Sequence, residues 1–168
     1  MVGGALTRRA AVLGLSMLAI AMRGHAEAII DLGWRDLLPE DDTPPPVSPW
    51  GILTHDEGSL ASRQPMSTGI RTDWNAQLVR LSGFIVPIDY EGTGVTTFIL
   101  VPYVGACIHV PPPPANQLVF VTTRTPFQSS GLFEAVTVTG MFGTVSTSTQ
   151  LAEIGYTLSA EDIRPYRK

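Results

Sequence analysis

From Gln77 to the C-terminus, runs of branched and aromatic residues alternate with glycine, proline and polar turns, the pattern of β-strands. The run "QLVRLSGFIVPI" stops at Pro87 and is followed by turn chemistry in "DYEGTG". In "VTTFILVPY" the apolar residues from Phe98 to Val101 are continuous, as in a strand buried on both faces. Three further strands are predicted in "ACIHV", "QLVFVTT" and "LFEAVTVTGMFGTV". No window of a dozen residues carries a sustained 3.6-residue period. About five strands with few helices imply a mostly β fold, a small barrel or sandwich. "VRLSGFIV" and "VTVTGMFG" each place a glycine after two alternating apolar positions, where a strand bends sharply round a small barrel. The preferred architecture is therefore a five-stranded barrel of the oligonucleotide/oligosaccharide-binding (OB) type. Phe84, Phe98, Phe120 and Phe142 occupy strand positions and read as core. The tail "LAEIGYTLSAEDIRPYRK" is expected to pack back through Ile154, Tyr156, Leu158 and Ile163.

The first 28 residues pair a basic start (Arg8, Arg9) with an apolar stretch from Ala10 to Met22 and a small-x-small site at Ala26-Glu27-Ala28. That is the layout of a cleaved signal peptide, and the stretch is shorter than the roughly 20 residues of a spanning helix. The chain is expected to be exported to the periplasm, cut after about Ala28, and not membrane-spanning once mature. The paired arginines leave a twin-arginine signal open beside an ordinary one. Residues 29–75 read as an acidic, Pro-rich arm and loop, and 76–168 as the β-barrel domain. In the arm, Leu32, Trp34 and Leu37 suggest a short amphipathic turn ended by Pro39, and the prolines at 44, 45, 46 and 49 impose irregular chain. Leaving Trp34, Leu37, Leu38 and Trp50 in water costs about 1.5–3 kcal/mol each. The arm is thus expected to lie along the domain or in a partner.

Charge narrows the function. With the three arginines and one glutamate of the leader removed, 8 bases remain against 14 acids, a net charge of −6. Seven of those acids lie between Asp31 and Glu57 beside a single base, Arg35, and from Gly58 onward acids and bases balance. A neutral body with an acidic leader offers no phosphate-binding surface, which excludes nucleic acid. The single cysteine, Cys107, excludes a disulfide within the chain, and its distance from the cleavage site excludes a lipoprotein anchor.

In "ACIHV", Ala106, Ile108 and Val110 share one strand face and Cys107 and His109 the other. Thiol and imidazole project together, roughly 6.6 Å apart at their backbones given a rise of ~3.3 Å per residue. Zinc binds sulfur at ~2.3 Å and imidazole nitrogen at ~2.0–2.1 Å, so one ion can bridge them, but it takes four ligands or three plus water. His55, Asp89 and Glu91 are the weaker candidates to complete such a site, and a symmetric homodimer would supply two copies of the pair. Copper(I) would add Met141 or Met66. Two other readings stay open: a thiol nucleophile activated by the imidazole, and a purely structural pair with a buried cysteine. Pro111, Pro112, Pro113 and Pro114 end the strand as a stiff wall. With Asn116 and Gln117, which cap the loop, they form a candidate binding rim or a protection of the sheet edge.

The segments "VRLSGFIVPID", "TTFILVPYVGACIHVPPPPANQLVFV" and "VTVTGMFGTVSTSTQLAEIGYTL" resemble the bacterial exported family known as domain of unknown function 3299, over roughly residues 31–166. The resemblance places a Cys-x-His pair at Cys107 and His109, followed by the prolines and Asn116-Gln117. It implies an exported accessory of an ABC transporter or other envelope system, encoded in zinc-responsive gene clusters, with no established catalytic role. The resulting expectation is a periplasmic metal-binding accessory, more a binding protein than an enzyme. The alternative is a protein-interaction module of a transporter complex, docking through its leader or proline rim.

Overall fold

The computed structural model describes residues 28–40, 64–67, 69–106 and 112–167. Five strands form a closed barrel: β2 (Leu78–Glu91), β3 (Gly94–Val101), β4 (Val119–Phe127), β5 (Ala135–Gly143) and β8 (Tyr156–Pro165). Around the barrel the order is β2-β3-β4-β8-β5, and β5 closes onto β2. All the pairings that close it are antiparallel except β4 with β8. This is the OB-like architecture that the strand pattern predicts. A short strand, β1 (Ile30–Leu32), adds to β2 in parallel, and β6 (Thr147–Ser148) pairs with β7 (Glu153–Ile154) in a small separate hairpin. No helix among the described residues is long and apolar enough to cross a membrane.

Barrel closure depends on β2, whose 14 residues serve two neighbours. Leu78–Phe84 pair with β5, and Phe84–Glu91 pair with β3. The changeover falls beside Gly83. A Cβ there would stand 2.7 Å from the carbonyl oxygen of Val101 and 2.9 Å from Leu100 Cγ and Trp34 Cζ2. The second bend lies at Gly140, where the register of β5 against β8 shifts. There a Cβ would collide with the backbone of Ser159 and Ala160. Both glycines therefore stand where the sequence pattern places barrel corners.

On the other edge of β2, β1 ends opposite Leu81 and the antiparallel β3 ends opposite Phe84. The intervening Ser82 carbonyl is satisfied by a side chain, because the Trp34 indole N–H donates to it at 2.8 Å. Trp34 opens a 3-10 turn, Trp34–Leu37, whose Leu37 is fully buried in the barrel core with Leu32. Residues 28–40 of the arm thus lie along the domain. The prolines at 44, 45, 46 and 49 and Trp50 lie outside the described residues.

Two elements depart from the sequence reading. Strand β2 does not stop at Pro87 but continues to Glu91 through a register shift between Pro87 and Asp89, a site where a missing N–H is tolerated. The fifth barrel strand is β8, in the tail. Of "ACIHV", Ala106 is described and Cys107–Val110 lie outside the described residues. Tyr156 and Leu158 of the tail enter the core as expected, and Phe98 and Phe142 are buried there too.

Tyr156 ties this end of the barrel together. Its hydroxyl donates to the Leu37 carbonyl at 2.6 Å and accepts from the Arg71 backbone N–H at 2.8 Å, and its ring packs on Phe142 at 5.2 Å. Burial raises its pKa above the ordinary 10.0, and the hydrogen bond from Arg71 works in the opposite direction. The exposed Arg71–Asp73 pair, 2.9 Å apart, raises the pKa of Arg71 and lowers that of Asp73 chiefly through their mutual hydrogen bond. At the surface such a pair adds little stability.

Three outcomes are expected. Gly140→Ala should destabilise the fold by about 1–3 kcal/mol, read as a lower urea midpoint, because the methyl group meets backbone that cannot rotate away. Trp34→Phe removes the donor to Ser82 together with the outer indole ring that stands at Gly83, and should cost about 1–3 kcal/mol in the same assay. Tyr156→Phe leaves two backbone groups without their partner, with a loss of about 1–3 kcal/mol below pH 10. The folded state holds the phenolic proton more tightly than the unfolded one. That contribution is whole below about pH 10 and fades as pH rises through the higher folded-state value. The gap between wild type and Tyr156→Phe should therefore narrow in urea titrations run above pH 10.

Candidate functional site

The alternation of β2, β3 and β4 creates a second apolar face on the outside of the barrel. Val86, Ile99, Val101 and Leu118 are buried there, with Phe84 and Phe120 packed against them. Phe84 and Phe120 are therefore half-buried residues of the outer surface, unlike Phe98 and Phe142 inside the barrel. The cover comes from two connections. One, after β3, brings in Ala106; the other, between β5 and β8, brings in Ala152 and Ile154 on β7 and its approach. The continuous apolar run Phe98–Val101 is explained in this way, as a strand buried on both faces.

The candidate ligands belong to the connection between β3 and β4. Cys107, His109 and Pro111 lie outside the described residues, as does His55. Their flanks are firmly held. Ala106 is fully buried, and Pro112, Pro113 and Pro114 are buried rather than presented as a surface rim. The Gln64 side-chain amide donates to the carbonyls of Pro113 (2.8 Å) and Glu153 (2.7 Å), and its oxygen accepts from the Glu153 N–H (2.8 Å). One side chain thus staples the proline segment to β7. Beside it the Gly155 N–H donates to the Ala115 carbonyl at 2.8 Å.

Asn116 and Gln117 are buried and reach the arm and the segment that follows it. The Asn116 amide donates to the Gly69 carbonyl at 3.0 Å, and the Gln117 amide donates to the Trp34 carbonyl at 2.8 Å and to the Asn116 carbonyl at 3.0 Å. Within the loop, Leu118 N–H also closes a 3-10 turn on Ala115. Two buried amides at this point therefore fasten the N-terminal arm to the proline segment.

Asp89 and Glu91 stand exposed on the last residues of β2, opposite Thr97 and Gly94 toward the β2–β3 hairpin tip. Met66 is 93% exposed, and Met141 is half-buried on β5. Among the described residues no three His, Cys, Asp or Glu side chains gather as a metal-binding group. Sequence reasoning identified neither Gln64 nor the β6–β7 hairpin. A two-residue strand in "STSTQLAEI" carries no periodic signal, and the double burial of β3 was the one hint that something covers it.

The chain matches the family described as "Protein of unknown function (DUF3299)" over residues 34–165. No curated protein matches it. Among solved structures it is similar to the crystal structure of a DUF3299 family protein from Pseudomonas aeruginosa PAO1. That match has a TM-score of 0.73 and 35% sequence identity, and covers 84% of this chain and 98% of that chain. The similarity spans the arm turn, the barrel and the covers over its outer face, and the chain belongs to the DUF3299 family of proteins of unknown function.

Proposed function

We propose that the protein is an exported, non-enzymatic binding protein of the bacterial envelope that holds a transition metal, zinc first, on Cys107 and His109 and serves a transport or metal-homeostasis system. The observation that carries this reading is the anchoring of both flanks of the Cys-x-His segment. On one side Ala106 is locked in the second apolar cluster, and on the other Pro112–Pro114 are buried and stapled by Gln64. Fixed flanks lower the ordering cost that a ligand bound between them has to meet.

Two ligands of a tetrahedral site come from this segment, and the remaining positions fall to a second copy of the segment, to His55, or to water. The exported location follows from the leader, with cleavage after Ala28 preceding β1. An interaction module working through the leader or the proline wall is the less favoured reading. Leu37 and Leu38 are buried, Trp34 is bonded to β2, and Pro112–Pro114 are covered. The surfaces that such docking needs are used by the fold itself.

Mature protein purified without a tag should retain about one zinc per chain or per pair of chains, and Cys107→Ser or His109→Ala should abolish it at unchanged thermal stability of the metal-free form. Elemental analysis alongside light scattering reads both the stoichiometry and the oligomeric state. Metal content in Cys107→Ser equal to wild type would sink the reading.

A further inference from the structure

Beside the β6–β7 hairpin the outer face of the barrel is open. A groove of 860 Å³ runs between Thr147–Leu151 and the residues Pro87, Ile88 and Phe120. It adjoins a second one of 410 Å³ that shares Phe120 and Thr147 and continues over Thr122, Met141, Gly143, Thr157 and Ser159. The combined floor has a regular layout, because the strands set it. Phe120 on β4 is level with Thr157 on β8 and Gly143 on β5, and Thr122 is level with Ser159 and Met141. Neighbouring strands lie about 4.8 Å apart, so the hydroxyls of Thr122 and Ser159 stand side by side at about that spacing, with Thr157 two residues along β8 from Ser159.

We propose that this groove is a binding site for a neutral oligosaccharide. Neither groove has an Asp, Glu, Lys or Arg in its lining. A phosphate or carboxylate seated there would lose water without gaining a counter-charge, which disfavours nucleic acids and acidic ligands. Uncharged hydroxyls and an amide suit a ligand that carries many hydroxyl groups. The side chains of Thr122, Thr147, Gln150, Thr157 and Ser159 form no hydrogen bonds with other described residues, so their polar groups are free to meet such a ligand. By contrast Ser148 is engaged with Glu153, and Thr149 with Leu151 and Ala152.

Phe120 adds the apolar element. Half-buried against the second cluster, it offers a ring face at the junction of the two grooves, where the C–H side of a pyranose can stack. Pro87, Ile88 and Leu151 extend that surface. The volume is in the range of small-ligand sites and suits a few sugar units. Of the elements that this barrel type uses for oligonucleotides and oligosaccharides, the grooves include the third barrel strand, β4, and the loop between the last two, β5 and β8. Here the lining decides between the two ligand classes. The site is separate from Cys107 and His109, and each reading can fail without the other.

The test is a titration of isotope-labelled mature protein with cellohexaose, maltohexaose and chitohexaose, followed by amide chemical shifts. At least one glycan should give saturable shifts confined to residues 88, 120–122, 141–143, 147–151 and 157–159, and a charged oligothymidylate of similar length should give none. Phe120→Ala should weaken binding by about tenfold or more. Because that residue also packs on the second cluster, a Gln150→Ala/Ser159→Ala double variant at two exposed positions provides an independent check and should weaken binding without changing the unfolding midpoint. The proposal is overturned if none of the three glycans saturates, if the oligothymidylate binds there more tightly than the glycans, or if the double variant binds as wild type does.

Discussion

A barrel of five short strands closes only if one strand turns from one neighbour to the next, and here that strand is β2. Its two halves pair with β5 and β3, so the backbone bends between them and leaves a gap on one edge. Gly83 permits the bend because there is no room for a Cβ between the Val101 carbonyl and the Trp34 ring. Trp34 then does two things at once. Its ring covers the glycine, and its N–H occupies the ladder position that neither β1 nor β3 reaches. The N-terminal arm is therefore a working part of barrel closure. Leu37 in the core, with its carbonyl bonded to Tyr156, and Gln117 on the Trp34 carbonyl fix the arm from both sides.

Much of this architecture could be read in the sequence, because it rests on patterns of the chain itself. The glycines at 83 and 140 follow alternating apolar residues, and the uninterrupted run at Phe98–Val101 announces a strand covered twice. What stayed hidden depends on contacts remote in sequence. "GYTLSAEDIRP" mixes polar residues with apolar ones at alternate positions only as far as Leu158, so β8 looked like a tail although it pairs with both β4 and β5. Pro87 looked like an end because proline lacks a donor, yet the register shift beside it absorbs the loss. The β6–β7 hairpin is too short to carry a period, and its position is set by Gln64 and Gly155, whose partners lie 89 and 40 residues away.

The candidate site was legible as chemistry and only partly as geometry. A cysteine and a histidine two residues apart define a possible ligand pair in any extended chain, but their neighbours depend on the fold. The buried prolines and the two buried amides show how the fold treats the flanks. It buries them and bonds them to Gln64, Gly69 and Trp34, so they are not a free rim. Proline contributes by narrowing the unfolded chain and by needing no donor partner when buried, so three consecutive covered prolines cost less in unmet hydrogen bonds than other residues would.

The distribution of charge links the two faces of the molecule. The excess of acids is concentrated between Asp31 and Glu57, while the chain from Gly58 onward is balanced. Within that balanced body the charged side chains are themselves segregated. Arg80, Glu161, Asp162, Arg164 and Arg167 line a groove over β2, β5 and β8, where Arg80 pairs with Asp31 and Arg164 with Asp162. The groove beside β6–β7 contains none. Two grooves of comparable size on one small barrel thus differ in kind. In the first, Arg80, Asp162 and Arg164 are engaged in pairs that water screens. The second keeps several hydroxyls uncommitted beside the half-buried ring of Phe120. A ligand entering the first must compete with existing ion pairs, whereas one entering the second displaces only water, and that asymmetry makes the neutral groove the better-prepared surface for binding.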